Sequence, residues 1–399
     1  MLSAYVHVPF CAARCGYCDF NTYVPGRAGL SPAAWLDALR AETLLAASSL
    51  TAEPGPLSTV FFGGGTPTLL GAGPLIAVLQ ALRQAFGLAP GAEVTVEANP
   101  ETLTDALLDA LLAGGVTRLS LGMQSADEAV LAVLDRAHTP GQAVAGVEAA
   151  HRAGFTDVSL DLIYGTPGET IDSWASTLQA ALAVEPEHVS CYSLIVEPGT
   201  PLARRIGAGA LPAPDDDLMA DEYVLADETL SAAGLGWYEL SNWAKGAGPG
   251  EPAGHECRHN LAYWWGLDWW GFGPGAHSHI GRRRWWNHRS PAVWAGALGA
   301  GKTPEAGSEL VDDTQAHEER VLLELRLATG LPCDALTPAE AARVPALIDD
   351  GLLETRDTAT RLSRPSLGSQ VKPVADGEVL VLTRRGRLLA DLVTRQLLD

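Results

Sequence analysis

This chain is short of thiols and of positive charge, and it has no long apolar stretch. Its 399 residues carry 27 Lys plus Arg against 48 Asp plus Glu, a net charge of -21. Such a deficit of cations opposes a broad electrostatic footprint on nucleic acid or on an anionic membrane. No run is long and apolar enough to span a bilayer. The N-terminus enters an alternating, strand-like pattern directly, with no basic region and no apolar signal segment. These absences argue against nucleic-acid binding and stable membrane insertion, and they point to the cytoplasm, where thiols stay reduced. A chain of this length can still build two or more domains with sizeable cores.

Only six cysteines are present, and three of them fall in the stretch Cys11-Ala12-Ala13-Arg14-Cys15-Gly16-Tyr17-Cys18. Thiolates at C-x3-C-x2-C spacing suit a metal centre better than a packed core, although a single Cys in this loop could be core filling. Three sulfurs can hold three irons of a [4Fe–4S] cluster and leave the remaining iron open to a non-protein ligand. Zinc would need a further ligand, for which His7 is the nearest candidate. Cys191, Cys257 and Cys333 read as free thiols.

The segment from Tyr5-Val6-His7-Val8-Pro9-Phe10 through the three cysteines to Asp19 and Phe20 resembles the cluster loop of radical S-adenosylmethionine (SAM) proteins. Within that superfamily it is similar to the oxygen-independent coproporphyrinogen III oxidase family. The resemblance implies a [4Fe–4S] cluster on Cys11, Cys15 and Cys18, with SAM on the open iron.

From residue 3 to about 200, short β-branched runs alternate with helical patterns, the signature of βα units on a parallel sheet. Strands are expected at 4–8, 59–62, 94–97, 118–121, 158–163 and 189–196, and helices near 31–49, 72–86, 104–113, 126–135, 140–153 and 172–184. Ser31-Pro32 and Thr139-Pro140 read as N-caps followed by a first-turn proline. Six βα units are too few for a closed eight-unit barrel. The resemblance implies an α/β fold, a partial (β/α)6 radical SAM barrel over residues 1–235.

Ligands of parallel βα folds gather at the carboxyl ends of the strands. Gly63-Gly64-Gly65-Thr66-Pro67 follows a strand, so its backbone can approach a ligand closely. Glu97, Gln124 and Asp161 are expected at strand ends on the same rim. The resemblance implies that Gly64, Gly65 and Thr66 meet the methionine amino group of SAM. Glu97 and Asp161 offer carboxylates for ribose hydroxyls or amines, while Gln124 and Arg136 suit the SAM carboxylate. The alternative reading of Arg136 is an exposed cation at a helix end. Tyr5, Tyr17 and Ile195 match family positions that flank SAM.

Past Glu197-Pro198-Gly199-Thr200-Pro201 and the acidic helix start at Asp215, Asp216 and Asp217, the segment 245–254 is rich in Gly and Pro and reads as a loop. Residues 236–310 are expected to form an aromatic, His-rich connecting region. Trp264, Trp265, Trp269, Trp270, Trp285 and Trp286 are six of the chain's 11 tryptophans. Interleaved with His and Arg, they suit a large planar anionic ligand such as haem, or else a Trp-rich core patch. His259-Asn260-Leu261-Ala262-Tyr263-Trp264 resembles a signature of the haem-chaperone branch of the family. That resemblance makes His259 the candidate haem ligand, with Cys257, His277 and His279 as neighbours. Alternatively, the His259 imidazole fixes its loop by hydrogen bonding.

Residues 311–399 resemble the family's winged-helix-like C-terminal domain, with helices expected at 315–329 and 338–349 and a strand at 378–382. Two functions are implied: a haem chaperone that hands haem to an acceptor protein, and an enzyme that oxidatively decarboxylates coproporphyrinogen III, either needing an electron donor to the cluster. The oxidases carry an additional Cys two residues past the third, where this chain has Phe20, and an extension ahead of the cluster loop. Together with the His259 signature, these departures favour the chaperone.

Overall fold

The computed structural model describes residues 2–49, 55–247, 254–357 and 377–399. At its centre lie six parallel strands in chain order: β1 (Leu2–Val8), β2 (Leu57–Gly64), β3 (Leu88–Ala98), β4 (Arg118–Gln124), β5 (Val158–Tyr164) and β6 (His188–Ser193). Each strand alternates. Val6, Val60, Val94, Val96, Leu119, Leu121, Leu160 and Val189 point outward into the main hydrophobic core. Between them, Tyr5, Thr95, Glu97, Arg118, Ser120, Ser159, Asp161, His188 and Ser190 line an inner cavity. With a side-chain period of two, this pattern gives the sheet one apolar face for helices and one polar face for a lumen.

The outer face is covered by α1 (Pro32–Ser49), α2 (Ala72–Phe86), α3 (Asp105–Ala113), α4 (Glu128–Val133), α5 (Pro140–Ala153) and α6 (Ile171–Leu182). Local chemistry sets several of their starts. Thr139 and Gln142 form a capping box ahead of Pro140, and the Thr104 hydroxyl accepts the Leu107 N–H at 3.2 Å. Two further helices follow, α7 (Pro201–Gly207) and α8 (Asp216–Ala232), the latter capped by Asp215.

The sheet does not stop at the six expected strands. Beyond β6 come β8 (Asn242–Lys245) and β7 (Leu235–Glu239), both antiparallel. On the other side β9 (Asp268–Phe272) pairs parallel with β1, and β10 (His277–Ile280), β11 (Arg283–Asn287) and β12 (Glu305–Leu310) continue it. The twelve strands run in the order β12-β11-β10-β9-β1-β2-β3-β4-β5-β6-β8-β7, and the two ends do not pair, so the barrel is open. The segment 236–310, expected as a connector, therefore supplies strands to the core's own sheet, and Trp243, Trp270, Trp285 and Trp294 belong to its main hydrophobic cluster. It also supplies α9 (Arg258–Trp264) and α10 (Pro291–Gly299). Buried Glu42 of α1 clamps this extension: it accepts the Gly273 N–H at 2.8 Å, the Asn287 amide at 2.6 Å and the Trp294 indole at 3.1 Å. The loop expected over 245–254 lies mostly outside the described residues.

Several boundaries differ from the sequence reading: β3 starts at Leu88 rather than at 94, and α4 covers only Glu128–Val133 of the expected 126–135. Strand β6 ends at Ser193, so Ile195 lies beyond it, and Asp161 sits in the middle of β5 rather than at its end. The C-terminal segment runs α11 (Asp313–Glu324), β13 (Leu331–Pro332), α12 (Pro338–Ala341), α13 (Val344–Asp349), β14 (Leu353–Asp357), β15 (Glu378–Leu382), α14 (Arg384–Leu388) and α15 (Ala390–Leu398). Its strands form a separate three-stranded sheet in the order β13-β15-β14. The expected helix over 338–349 is split in two, and α11 stops short of 329.

One ionic node fastens this module to the barrel. Asp227 of α8 accepts from Arg384 Nε at 2.7 Å, Arg387 Nη2 at 2.7 Å and the Trp243 indole at 3.1 Å, while Arg387 lies over the Trp237 ring at 4.4 Å. The Arg387 and Asp227 side chains are only 7% and 4% exposed. Removing one partner strands the other charge, so Arg387→Ala should cost about 3–5 kcal/mol, read as a lower urea midpoint. An unchanged midpoint would show that the node does not hold the module.

Candidate functional site

The three thiols sit on the loop that leaves β1. Backbone bonds fix its course: Cys11 N–H to Tyr23 O at 3.1 Å, Gly16 N–H to Leu134 O at 3.1 Å and Leu202 N–H to Gly16 O at 2.9 Å. A Cβ on Gly16 would lie 2.3 Å from an Asp135 carboxylate oxygen, so a larger residue there would require the Asp135 side chain to move. The loop after β2 is zipped onto this one, with Gly65 N–H on Val8 O at 2.8 Å and Thr66 N–H on Phe10 O at 2.7 Å. At Gly65 a Cβ would meet Phe10 O at 2.5 Å. Thr66 Oγ1 reaches Cys11 Sγ at 3.8 Å, and Arg136 Nη1 reaches Cys15 Sγ at 3.5 Å.

Cys11, Cys15 and Cys18 are all partly exposed and open on one cavity of about 760 Å³. Burial pushes the Cys11 and Cys18 thiols up, so as thiolates they need a cation to compensate. Among the described residues, no group of three His, Cys, Asp or Glu side chains is arranged to hold a metal ion. His7 is not free to complete a zinc site, because Nδ1 meets the Tyr5 hydroxyl at 3.1 Å and Nε2 meets Asn21 O at 3.0 Å. Three thiols spread around a cavity mouth, with an Arg beside one of them, suit a polynuclear cluster better than a lone ion.

The cavity wall carries the other polar groups. Glu97 accepts the Gly64 N–H at 3.0 Å, and burial together with the nearby Asp161 pushes its carboxyl up to about 8. Asp161 accepts the Ser120 hydroxyl at 2.8 Å and is also raised by burial. Gln124 has a left-handed φ of 60° at the end of β4, and its buried Oε1 has no partner. Arg136 donates to Asn99 Oδ1 at 3.1 Å and to Gly122 O at 2.9 Å, while its Nε stays unpaired. Rather than waving from a helix end, this arginine is tucked against the rim. Unsatisfied buried donors and acceptors on residues that line one space are what a polar ligand with amine, carboxylate and hydroxyl groups would complete.

At the far end the barrel is stoppered by α9. Its first N–H groups point at buried Glu93, which accepts from Arg258 N at 3.0 Å and His259 N at 2.9 Å, an anion meeting a helix N-terminus. The His259 ring is buried, with Nδ1 at 2.7 Å from Thr59 Oγ1 and Nε2 at 2.9 Å from the Tyr263 hydroxyl. It stacks on Phe61 at 5.1 Å. Burial lowers its pKa to about 3, so the imidazole is neutral. His277 and His279 lie elsewhere, on β10, against Trp286 and Trp269.

Residues 5–181 match the family model of the Radical SAM superfamily. The chain is 50% identical over 395 residues, 99% of its length and 94% of the other's, to the haem chaperone HemW of Mycobacterium tuberculosis. This chain belongs to the HemW family. It is also 33% identical to the haem chaperone HemW of Bacillus subtilis, over 95% of this chain and 100% of that one. Among solved structures, coproporphyrinogen III oxidase (HemN) from Escherichia coli superposes with a TM-score of 0.79 over 99% of this chain and 89% of that one. At 23% identity that likeness concerns the fold. Membership of this radical SAM family implies a [4Fe–4S] cluster and SAM as cofactors. Among the described residues no helix is long and apolar enough to cross a membrane.

Cys11, Cys15, Cys18, Tyr5, Tyr17, Gly64, Gly65, Thr66, Glu97, Gln124, Arg136, Asp161, Ile195 and His259 all line the one cavity. Sequence reasoning missed its lower half, where Arg118, Ser159, His188, Asn242 and Asn260 also face inward. Its signal was present as polar residues at every second position of otherwise apolar strands. A raised folded-state pKa makes Glu97 destabilising as pH climbs from its unfolded value through about 8. Glu97→Gln keeps an acceptor for Gly64, so it should flatten the fall in Tm of the cofactor-free protein between pH 6 and pH 9. A fall as steep as in the wild type would remove Glu97 as its source.

Proposed function

We propose that this chain is a cytoplasmic haem chaperone, which binds haem and passes it to an acceptor protein. The observation that carries the reading is the 50% identity over 99% of the chain to a haem chaperone. Cys11, Cys15 and Cys18 would hold the [4Fe–4S] cluster, and Gly64, Gly65, Thr66, Glu97, Gln124, Arg136 and Asp161 would hold SAM, flanked by Tyr5, Tyr17 and Ile195. When bound, the cluster supplies one electron at a time, received from an electron donor, and its open iron supplies a seat for SAM. The barrel of 1–235 then carries the cofactors, 236–310 carries the haem signature, and 311–399 is a packing or partner module.

His259 is the proposed haem ligand. Its imidazole is neutral, as iron ligation requires, and Nε2 would exchange the Tyr263 hydroxyl for iron. Thr59 at Nδ1 orients the ring from behind, the usual arrangement for a ligating histidine. In a haem titration followed by absorbance, the wild type should saturate stoichiometrically, and His259→Ala, checked for folding by circular dichroism, should bind about tenfold more weakly or worse. Equal titration curves would remove His259 as ligand.

Coproporphyrinogen oxidation is the competing activity. Phe20 stands, 60% exposed, where the resembling oxidases have their additional cysteine. Anaerobic protein supplied with reductant, SAM and coproporphyrinogen III should therefore yield no protoporphyrinogen, and clear turnover would overturn the chaperone reading.

A further inference from the structure

The cavity is deeper than the SAM positions need. Gln124, Glu97 and the Gly64 loop lie at the carboxyl ends of the strands, whereas Arg118 opens β4 six residues before Gln124, about 20 Å away along the strand. Both ends line the same space. Nothing in the cluster and SAM assignment uses the deep end, where His259 is the one residue already given a role.

Arg118 is the cation of that deep end. The residue is 2% exposed. Its Nη1 is anchored, donating to His255 O at 2.9 Å and lying 3.6 Å from an Asp157 carboxylate oxygen. Nη2 is buried with no hydrogen-bond partner, and so is Oγ1 of Thr95, the residue paired with Arg118 across β3 and β4. An unpaired guanidinium nitrogen in a protein interior is costly, and such groups persist where a ligand or ordered water completes them. A planar guanidinium anchored at one nitrogen and left unpaired at the other is suited to a carboxylate.

The surroundings would tolerate that anion. Glu93 is already engaged by the N-terminus of α9 and lies 3.8 Å from Arg258 Nε. Burial pushes the Glu97 carboxyl up to about 8 and also raises Asp161, which accepts the Ser120 hydroxyl at 2.8 Å. Asp157 faces the anchored nitrogen. His259 stands on the same floor: its N–H bonds Glu93, two residues before Thr95, and Thr59, its ring partner, pairs with Glu93 across β2 and β3. One ligand that brings iron to a neutral imidazole and a carboxylate to a neighbouring arginine is haem.

We propose that Arg118, with Thr95 beside it, is the receptor for a haem propionate at the floor of the barrel, so that haem enters the cavity carboxylate first. This rests on the haem-chaperone reading and gives it an orientation. Arg118 is a binding residue under this assignment and takes no part in SAM contact.

The test uses the full-length protein and two ligands, haem and haem dimethyl ester, titrated by absorbance in the same detergent buffer. Wild-type protein should prefer haem to its diester by about tenfold or more, the worth of one charge-assisted hydrogen bond. Arg118→Gln should lose that preference while keeping SAM binding by equilibrium dialysis. Equal affinity of the wild type for both ligands would overturn the proposal, and so would a folded Arg118→Gln that still discriminates between them. Because the first comparison needs no variant, it decides even if Arg118→Gln fails to fold. Absence of binding by both ligands would instead count against the haem-chaperone reading itself.

Discussion

An inward row of polar side chains on six apolar strands is the constraint on which this molecule depends. Val94, Val96, Leu119 and Leu121 face the helices and hold the sheet to them. Their neighbours Thr95, Glu97, Arg118 and Ser120 face the lumen, where Thr95 Oγ1 and Arg118 Nη2 are left without a hydrogen-bond partner. Apolar burial on one face stabilises a structure whose other face is left with desolvated polar groups, an arrangement that makes sense around a ligand. The raised carboxyls of Glu97 and Asp161, the neutral His259 and the unpaired nitrogen of Arg118 all follow from this division.

Closure of the lumen depends on distant parts of the chain. The cysteine loop and the glycine loop cover one end through main-chain bonds that require Gly65 at the crossing. At the other end α9 is held by Glu93, a carboxylate reading the orphan N–H groups of a helix start. The aromatic segment is therefore an integral part of the barrel: β9 pairs with β1, and Glu42 ties its loops to α1. Haem signature and cluster loop face one space for this reason, although more than 200 residues separate them in sequence.

Much of this was legible beforehand because its signals are local. Strand and helix alternation, the Thr139 cap ahead of Pro140 and the cysteine spacing each act over a few residues. Less legible were the long-range pairings. Nothing local in Asp268–Phe272 says that it lies parallel to the first strand, since the partner is set by tertiary packing. Arg118 was missed because one arginine in a strand reads as an edge or surface residue until the sheet curls around it. Arg136, whose alternative reading is an exposed cation, is bonded at the rim because Asn99 and the Gly122 carbonyl come to meet it.

By itself the sequence determined the kind of chemistry. Three thiols at C-x3-C-x2-C spacing, a glycine loop after a strand and a His-Asn-x-x-Tyr-Trp segment are covalent facts that no fold can alter. Tertiary structure alone decided the geometry in which they meet: which ring nitrogens of His259 are engaged, which carboxyls burial pushes up, and that one cavity runs from the cysteines to Arg118. Those properties depend on burial and on partners brought from remote segments, and burial exists only once the sheet has closed around them.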